Sequence, residues 1–193
     1  LTMAAQSTLK NMALCLTLVC LICSAVLGVA YAVTLEPVKA AQVAKTNKAI
    51  AQVLPEFADD NVAEQSVTVE GVEYTYYHPS SGYAVISVVN GFGGALSVMV
   101  GITEDGKVYN TSVISHSETP GLGAKCQSDE GFLGQFRGLD PASARLAVTK
   151  DGGDIDAITA STITSRAYTL AVANAVKVFG FLTSENGGGK DNE

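Results

Sequence analysis

The chain has 193 residues, 47% of them hydrophobic, with a formal net charge of −7. That length leaves room for one domain plus an anchor, and the acidic balance argues against nucleic acid as a partner. Two histidines and scattered carboxylates give no metal-ligand spacing, so no protein-bound metal is expected.

After a short stretch at 1–10, Asn11 to Leu35 carries no charge and is mostly Leu, Val, Ala, Cys and Ile. As a helix this run extends about 37 Å, enough to cross a bilayer core of about 30 Å with some tilt. A cleaved secretory signal competes, because Ala30-Tyr31-Ala32 fits a small-x-small cleavage site. Signal h-regions run about 7–15 residues. A retained single-pass helix in the cell membrane, at 11–35 and in contact with lipid, is the expectation. Lys10 precedes the run while Lys39, Lys45 and Lys48 follow it, so charge does not favour a cytoplasmic N-terminus. A signal-anchor arrangement puts the following domain on the extracytoplasmic face. Cys15, Cys20 and Cys23 lie within the run. Cys20 and Cys23 share a helical face, which permits ligation, but apolar packing against lipid or a partner helix is the expectation. Cys126 is alone beyond the run, so no disulfide is available there.

Glu36 and Pro37 are expected to end the span, and Val38 to Leu54 reads as an amphipathic helix closed by Pro55. This places a helical linker at 36–64 and a folded domain at 65–183. Alternation at Val67, Val69, Tyr74 and Tyr76 predicts half-buried strands around a turn at Glu70-Gly71. Tyr83 to Val89 and Ala95 to Ile102 are β-rich runs set inside a sheet, joined through Gly91, Gly93 and Gly94. Glu104-Asp105-Gly106-Lys107 signals a hairpin into a strand over Val108 to Ile114.

That strand delivers the chain to Ser115-His116-Ser117-Glu118-Thr119-Pro120-Gly121-Leu122-Gly123-Ala124-Lys125, a loop suited to ligand contacts. Asp129 to Phe136 predicts a short helix. Leu146 to Val148 and Ile155 to Ile158 read as strands around a turn at Lys150-Asp151-Gly152-Gly153. Ile163 to Phe179 is the last helix, with Ala167, Leu170, Ala171 and Val178 on one face, and 184–193 is expected to be a disordered tail. The fold class is α+β, with a twisted antiparallel sheet and flanking helices.

Asp156-Ala157-Ile158-Thr159-Ala160-Ser161-Thr162-Ile163-Thr164-Ser165 gathers hydroxyls where an apolar run becomes a helix. Free backbone N–H groups and the positive end of the macrodipole favour an anion there. A threonine in the first turn can therefore carry a phosphoryl ester. The same hydroxyls also serve as N-caps or satisfy helix backbone groups. Gly91-Phe92-Gly93-Gly94 lacks the spacing of a dinucleotide fingerprint, so NAD is expected to bind elsewhere in an assembly. His116 is a lone loop histidine and His78-Pro79 reads as a turn.

The segment from Asp156 to Thr162 resembles the flavinylation motif of the FMN-binding domain family. In that motif Asp, two variable residues, Ser or Thr, Gly, Ala and Thr precede a helix. Ser115 to Lys125 resembles the same family's His-x-Glu-Thr-Pro-Gly-Leu-Gly loop. The resemblance implies FMN held covalently, with Thr162 as the phosphoester acceptor, Thr159 at the Ser/Thr position and Asp156 as the acidic residue recognised by a flavin transferase. Ala160 stands where Gly is usual, and Ser161, beside the acceptor, stands where Ala is usual. It further implies that Glu118 and Thr119 meet the ring or ribityl chain, with Leu122 as an apolar surface and Gly121 and Gly123 allowing close approach. Lys125 would balance phosphate or reduced-flavin charge, and Thr164 and Ser165 would donate to the phosphate. An exposed Lys125 that is merely solvated fits the residues as well.

No residue is cast as catalytic in its own right. Members of this family serve as subunits of membrane-bound, ion-translocating electron-transport complexes of the Rnf (ferredoxin:NAD oxidoreductase) type and of the sodium-translocating NADH:quinone reductase type. The implied role is electron transfer among the other subunits of a complex of the first type, with the second type as the alternative. A non-redox, membrane-anchored binding module is the rival from another class.

Overall fold

The computed structural model describes residues 9–55 and 62–187. Residues 1–8 of the segment expected at 1–10, the linker residues 56–61 and most of the expected tail, 188–193, lie outside the described residues. The chain divides into two compact units, Leu1–Lys45 and Thr46–Glu193.

The described residues of the first unit are helical. Helix α1 runs Leu9–Val53 and carries Pro37 in its interior, so it does not end at Glu36-Pro37 as expected. Proline removes one intrahelical hydrogen bond and crowds the preceding turn, but Ala-, Lys- and Gln-rich sequence on its C-terminal side continues the helix through it. Between Lys10 and Lys45 nearly every side chain is exposed although most are apolar. The helix is long and apolar enough to cross a membrane.

The second unit is built on an antiparallel meander of β1 (Gln65–Val69), β2 (Val72–Tyr77), β3 (Tyr83–Asn90), β4 (Ala95–Ile102) and β5 (Val108–His116), in that spatial order. The β1–β2 turn sits at Glu70-Gly71 as the alternation predicts. Both residues take positive φ, 53° and 81°, which suits the twist of a two-residue hairpin. Pairing of β4 with β5 shifts at Ser97/Val98 and again at Gly101/Ile102, so β5 bends as it leaves the sheet.

Helix α3 spans Thr162–Gly187, so the last helix continues past Phe179 into the expected tail. It covers one face of the sheet. Its buried stripe includes Ala167, Tyr168, Ala171, Val172, Ala175 and Val178, packed against Val85, Val98 and Val100. Leu170, placed on this face by the sequence, is 53% exposed. It lies more than a quarter-turn from the stripe's centre at 3.6 residues per turn. Each fully buried large apolar side chain here contributes roughly 1.5–3 kcal/mol.

Between sheet and α3, Phe132 and Phe136 pack on the Tyr168 ring, and the Tyr168 hydroxyl donates to Thr111 Oγ1 at 2.8 Å. Both phenylalanines come from the predicted short helix. It is α2 (Glu130–Leu133) capped by Asp129, whose carboxylate accepts from Phe132 N–H, and it ends in a tight turn at Gly134–Phe136. The opposite sheet face is covered by the last turns of α1, where Ala49, Ile50, Val53 and Leu54 meet Tyr77, Ala84 and Met99.

Leu146 to Val148 and Ile155 to Ile158 do not form strands. They meet only in one parallel bridge, Val148 to Ile155. The intervening residues wind into a 3-10 turn, Thr149–Asp151, closed by Gly152 at φ 77°. That turn consumes the backbone groups a ladder would need.

Candidate functional site

Three loops meet at one end of the sheet. The β3–β4 connection (91–94) and the exit of β5 are neighbours because Leu96 pairs with His116, and the N-terminus of α3 lies against both. The open cavity between them has a volume of about 350 Å³ and is lined by residues from all three. From segments 115–125 and 156–165 come Glu118, Thr119, Leu122, Gly123, Ala160, Ser161, Thr162, Ile163 and Thr164, joined by Phe92. Cofactor sites commonly fall between about 300 and 1,000 Å³.

Glu118 organises these loops. Its side chain is buried, and its carboxylate accepts from Phe92 N–H at 2.8 Å, Gly93 N–H at 3.3 Å and Thr164 Oγ1 at 3.0 Å. Three donors compensate a charge that would otherwise be costly away from water. The carboxylate forms part of the wall, but its hydrogen bonds are spent within the protein. Gly91 and Gly123 exist for the same group, since a Cβ on either would run into a Glu118 carboxylate oxygen. Gly123 therefore makes room for Glu118 and Thr164. Gly121 has open space around it and serves its turn through φ 78°.

His116 accepts the Glu118 backbone N–H on Nδ1 at 3.2 Å, which gives it a structural role. Burial pushes the neighbouring Cys126 thiol up to about 11, and the Glu118 charge adds to this.

The hydroxyls at the helix start divide by partner. Ser165 Oγ accepts from Ile158 N–H and donates to Ser161 C=O, both at 3.0 Å, so it fixes the turn. Thr164 is committed to Glu118. Thr162, the first residue of α3, is half-buried on the cavity wall, and among the described residues its hydroxyl donates to no protein acceptor. It accepts from Lys150 Nζ at 3.2 Å. Ser161 is buried in the wall, while Thr159 is exposed and outside it.

Ala160 takes φ 61°, the left-handed region that L side chains rarely adopt. Asp156 is exposed. Its backbone N–H donates to Gln135 Oε1 at 2.7 Å and its C=O accepts from Gln135 Nε2 at 3.1 Å, leaving the carboxylate outward.

Lys125 is exposed on the turn Gly123–Gln127 and does not line the cavity. Sequence reasoning also missed Phe92, 69% exposed, and Ile163, 50% exposed, which with Leu122 form an apolar rim. Phe92 had a signal, a lone aromatic in a glycine-rich connection. Lys150 had none, because its proximity to Thr162 is tertiary.

This arrangement fits FMN. The rim and small wall residues suit a flat aromatic body, and an uncommitted hydroxyl stands on a helix N-terminus where phosphate is favoured. Residues 91–177 match the FMN-binding domain family. The chain is 36% identical to the subunit designated G of the proton-translocating ferredoxin:NAD(+) oxidoreductase complex of Clostridium ljungdahlii, covering 84% of this chain and 86% of that one. It is 35% identical to the corresponding subunit of the ion-translocating oxidoreductase complex of Methanosarcina acetivorans, covering 80% and 86%. It is 30% identical to that of Shewanella piezotolerans, covering 90% of each. Two motif blocks folded around one cavity and similarity over 80–90% of the chain to these proteins lead to one assignment: the chain belongs to this family of ion-translocating oxidoreductase complex subunits and carries an FMN-binding domain.

Proposed function

We propose that this protein is an electron-transfer subunit of a membrane-bound, ion-translocating ferredoxin:NAD oxidoreductase complex, with FMN attached through its phosphate to Thr162. The observation that carries this reading is the Thr162 hydroxyl. It opens helix α3 on the wall of the cavity, half-exposed and with its proton uncommitted, while Thr164 and Ser165 behind it are bound inward. When bound, the flavin supplies reversible one- or two-electron chemistry.

The chain's own residues do the rest. The helix N-terminus favours the phosphate charge, Phe92, Leu122 and Ile163 shield an aromatic body from water, and Glu118 holds the three loops in register. Asp156, with its carboxylate outward, is suited to recognition by a flavin transferase. The name of the Clostridium ljungdahlii relative supports the ferredoxin:NAD type of complex over the quinone-reductase type. In the same reading residues 11–35 cross the membrane, 36–64 lead into the FMN domain at 65–183, and that domain faces the extracytoplasmic side.

The test is intact-mass measurement after co-expression with a flavin transferase. Wild type should gain one FMN less water, Thr162→Ala should gain nothing, and Thr159→Ala should load at least partly. Full loading of Thr162→Ala would remove the assignment.

A further inference from the structure

None of the ten residues lining the cavity is basic, and one of them, Glu118, is a carboxylate. A phosphodiester on Thr162 adds a negative charge to that wall. The helix N-terminus meets part of it, but a macrodipole amounts to roughly half a unit charge. A cation would offset the remainder, and Lys150, from outside the two motif blocks, already contacts the Thr162 hydroxyl.

Two basic side chains approach this end of α3, and they are not equivalent. Arg166, one turn after Thr162, is bound in a fork to Asp151, with Nε to Oδ2 at 2.6 Å and Nη2 to Oδ1 at 2.7 Å. Its guanidinium is taken. Lys150 is the residue before Asp151, and its ammonium already donates to Thr162 Oγ1 at 3.2 Å. The same fork that occupies Arg166 therefore draws the Lys150 turn onto α3.

The turn is stiff in its own right. Asp151 N–H donates to Val148 C=O at 2.8 Å and Thr149 N–H to Ile155 C=O at 2.8 Å. Gly153 lies so close to the Ala147 backbone that any Cβ would collide with it. Asp154 also accepts from Arg145 N–H at 2.7 Å. A lysine carried on a closed turn loses less freedom on pairing than one on a mobile loop.

We infer that Lys150 is the counter-ion of the phosphate on Thr162, held in place by the Asp151–Arg166 fork, an inference that rests on Thr162 as the attachment point. An ammonium is a compact point charge with three donors, suited to phosphate oxygens whichever way the diester turns. Lys150 does not line the cavity while Thr162 does. A phosphate on Thr162 would thus have the Lys150 ammonium within reach, with the cavity left to the rest of the flavin.

The experiment compares wild type, Lys150→Met, Lys150→Arg and a control with the same charge change elsewhere, Lys125→Met. Each is prepared with and without flavin transferase, its loading read by intact mass and its unfolding midpoint by circular dichroism at low and high salt. Loading should raise the midpoint in wild type, Lys150→Arg and Lys125→Met. In Lys150→Met the gain should fall by about 2–4 °C at low salt, the size expected for losing one partly exposed ion pair, and the difference should close at high salt. The ³¹P resonance of the diester should move in Lys150→Met alone. Failure of Lys150→Met to load, with Lys150→Arg loading normally, supports the same requirement for a cation. Equal gains at both salt levels with an unmoved resonance would overturn the Lys150 assignment and leave Thr162 standing. An unmodified Thr162 in wild type, read from mass alone, removes both.

Discussion

Thr164 Oγ1 donates to Glu118 Oε2 at 3.0 Å, and this one bond ties the first turn of α3 to the loop that follows β5. The two residues belong to different motif blocks, so the bond is what makes two local patterns a single site. The Phe92 and Gly93 amides extend the same carboxylate to the third loop.

Thr164→Val keeps the shape of the side chain and removes the donor. Leaving a buried carboxylate short of one partner should cost about 1–3 kcal/mol, measured as a lower urea midpoint. Thr164→Ser should recover most of it. Covalent loading should persist, because Thr162 is untouched, while the absorbance of the bound flavin should shift as the loops loosen.

A second outcome follows from Ala160, whose φ is 61° two residues before Thr162, where the family motif has Gly. A non-glycine residue there carries a penalty of about 1 kcal/mol or more. Ala160→Gly should raise thermal stability by about that amount, and Ala160→Val should lower it further because its branched side chain tolerates this region worse than Ala. Equal midpoints for all three proteins would show that the turn carries no such strain.

Much of the sheet is legible because hairpins are local. Glu70-Gly71 and Glu104 to Lys107 announce their turns within a few residues, and the strands follow from alternation on either side. The helix start at Thr162 is local in the same way. What could not be read depends on contacts across the fold. Pro37 reads as a stop, yet α1 passes through it. Leu170 reads as core, yet the sheet meets a different stripe of α3. The approach of Lys150 to Thr162 is likewise invisible in the sequence, because it is carried by a turn that the Asp151–Arg166 pair ties to α3.

That pair sets a pH dependence. The Arg166 hydrogen bond, followed by its charge, holds the Asp151 carboxyl below its ordinary 3.8. A depressed carboxylate contributes stability above the unfolded value, and the contribution fades as pH falls through the folded one. The urea midpoint of Asp151→Asn should lie below wild type at neutral pH. The gap should narrow once pH drops under 3.8 and close when Asp151 is protonated. A gap that stays constant into acid would mean the ion pair does not contribute.

Cys126 is fully buried, and its thiol is pushed up to about 11. It should resist maleimide in the native protein and react only after unfolding. Topology is better read from Lys125→Cys, one residue away and exposed, in a chain whose four native cysteines are replaced by alanine. Labelling in intact cells is expected for an extracytoplasmic domain, and labelling only after permeabilisation would reverse the orientation.

Gly101 on β4 has no side chain, and the backbone of Val53 occupies the place where one would sit. The last turns of the N-terminal helix are thus a structural lid on the back of the sheet. A soluble fragment meant for spectroscopy should begin no later than Thr46. Started at Gln65, where the first strand begins, it would expose Met99, Ala84 and Tyr77 to water and offer that greasy patch to other copies of itself.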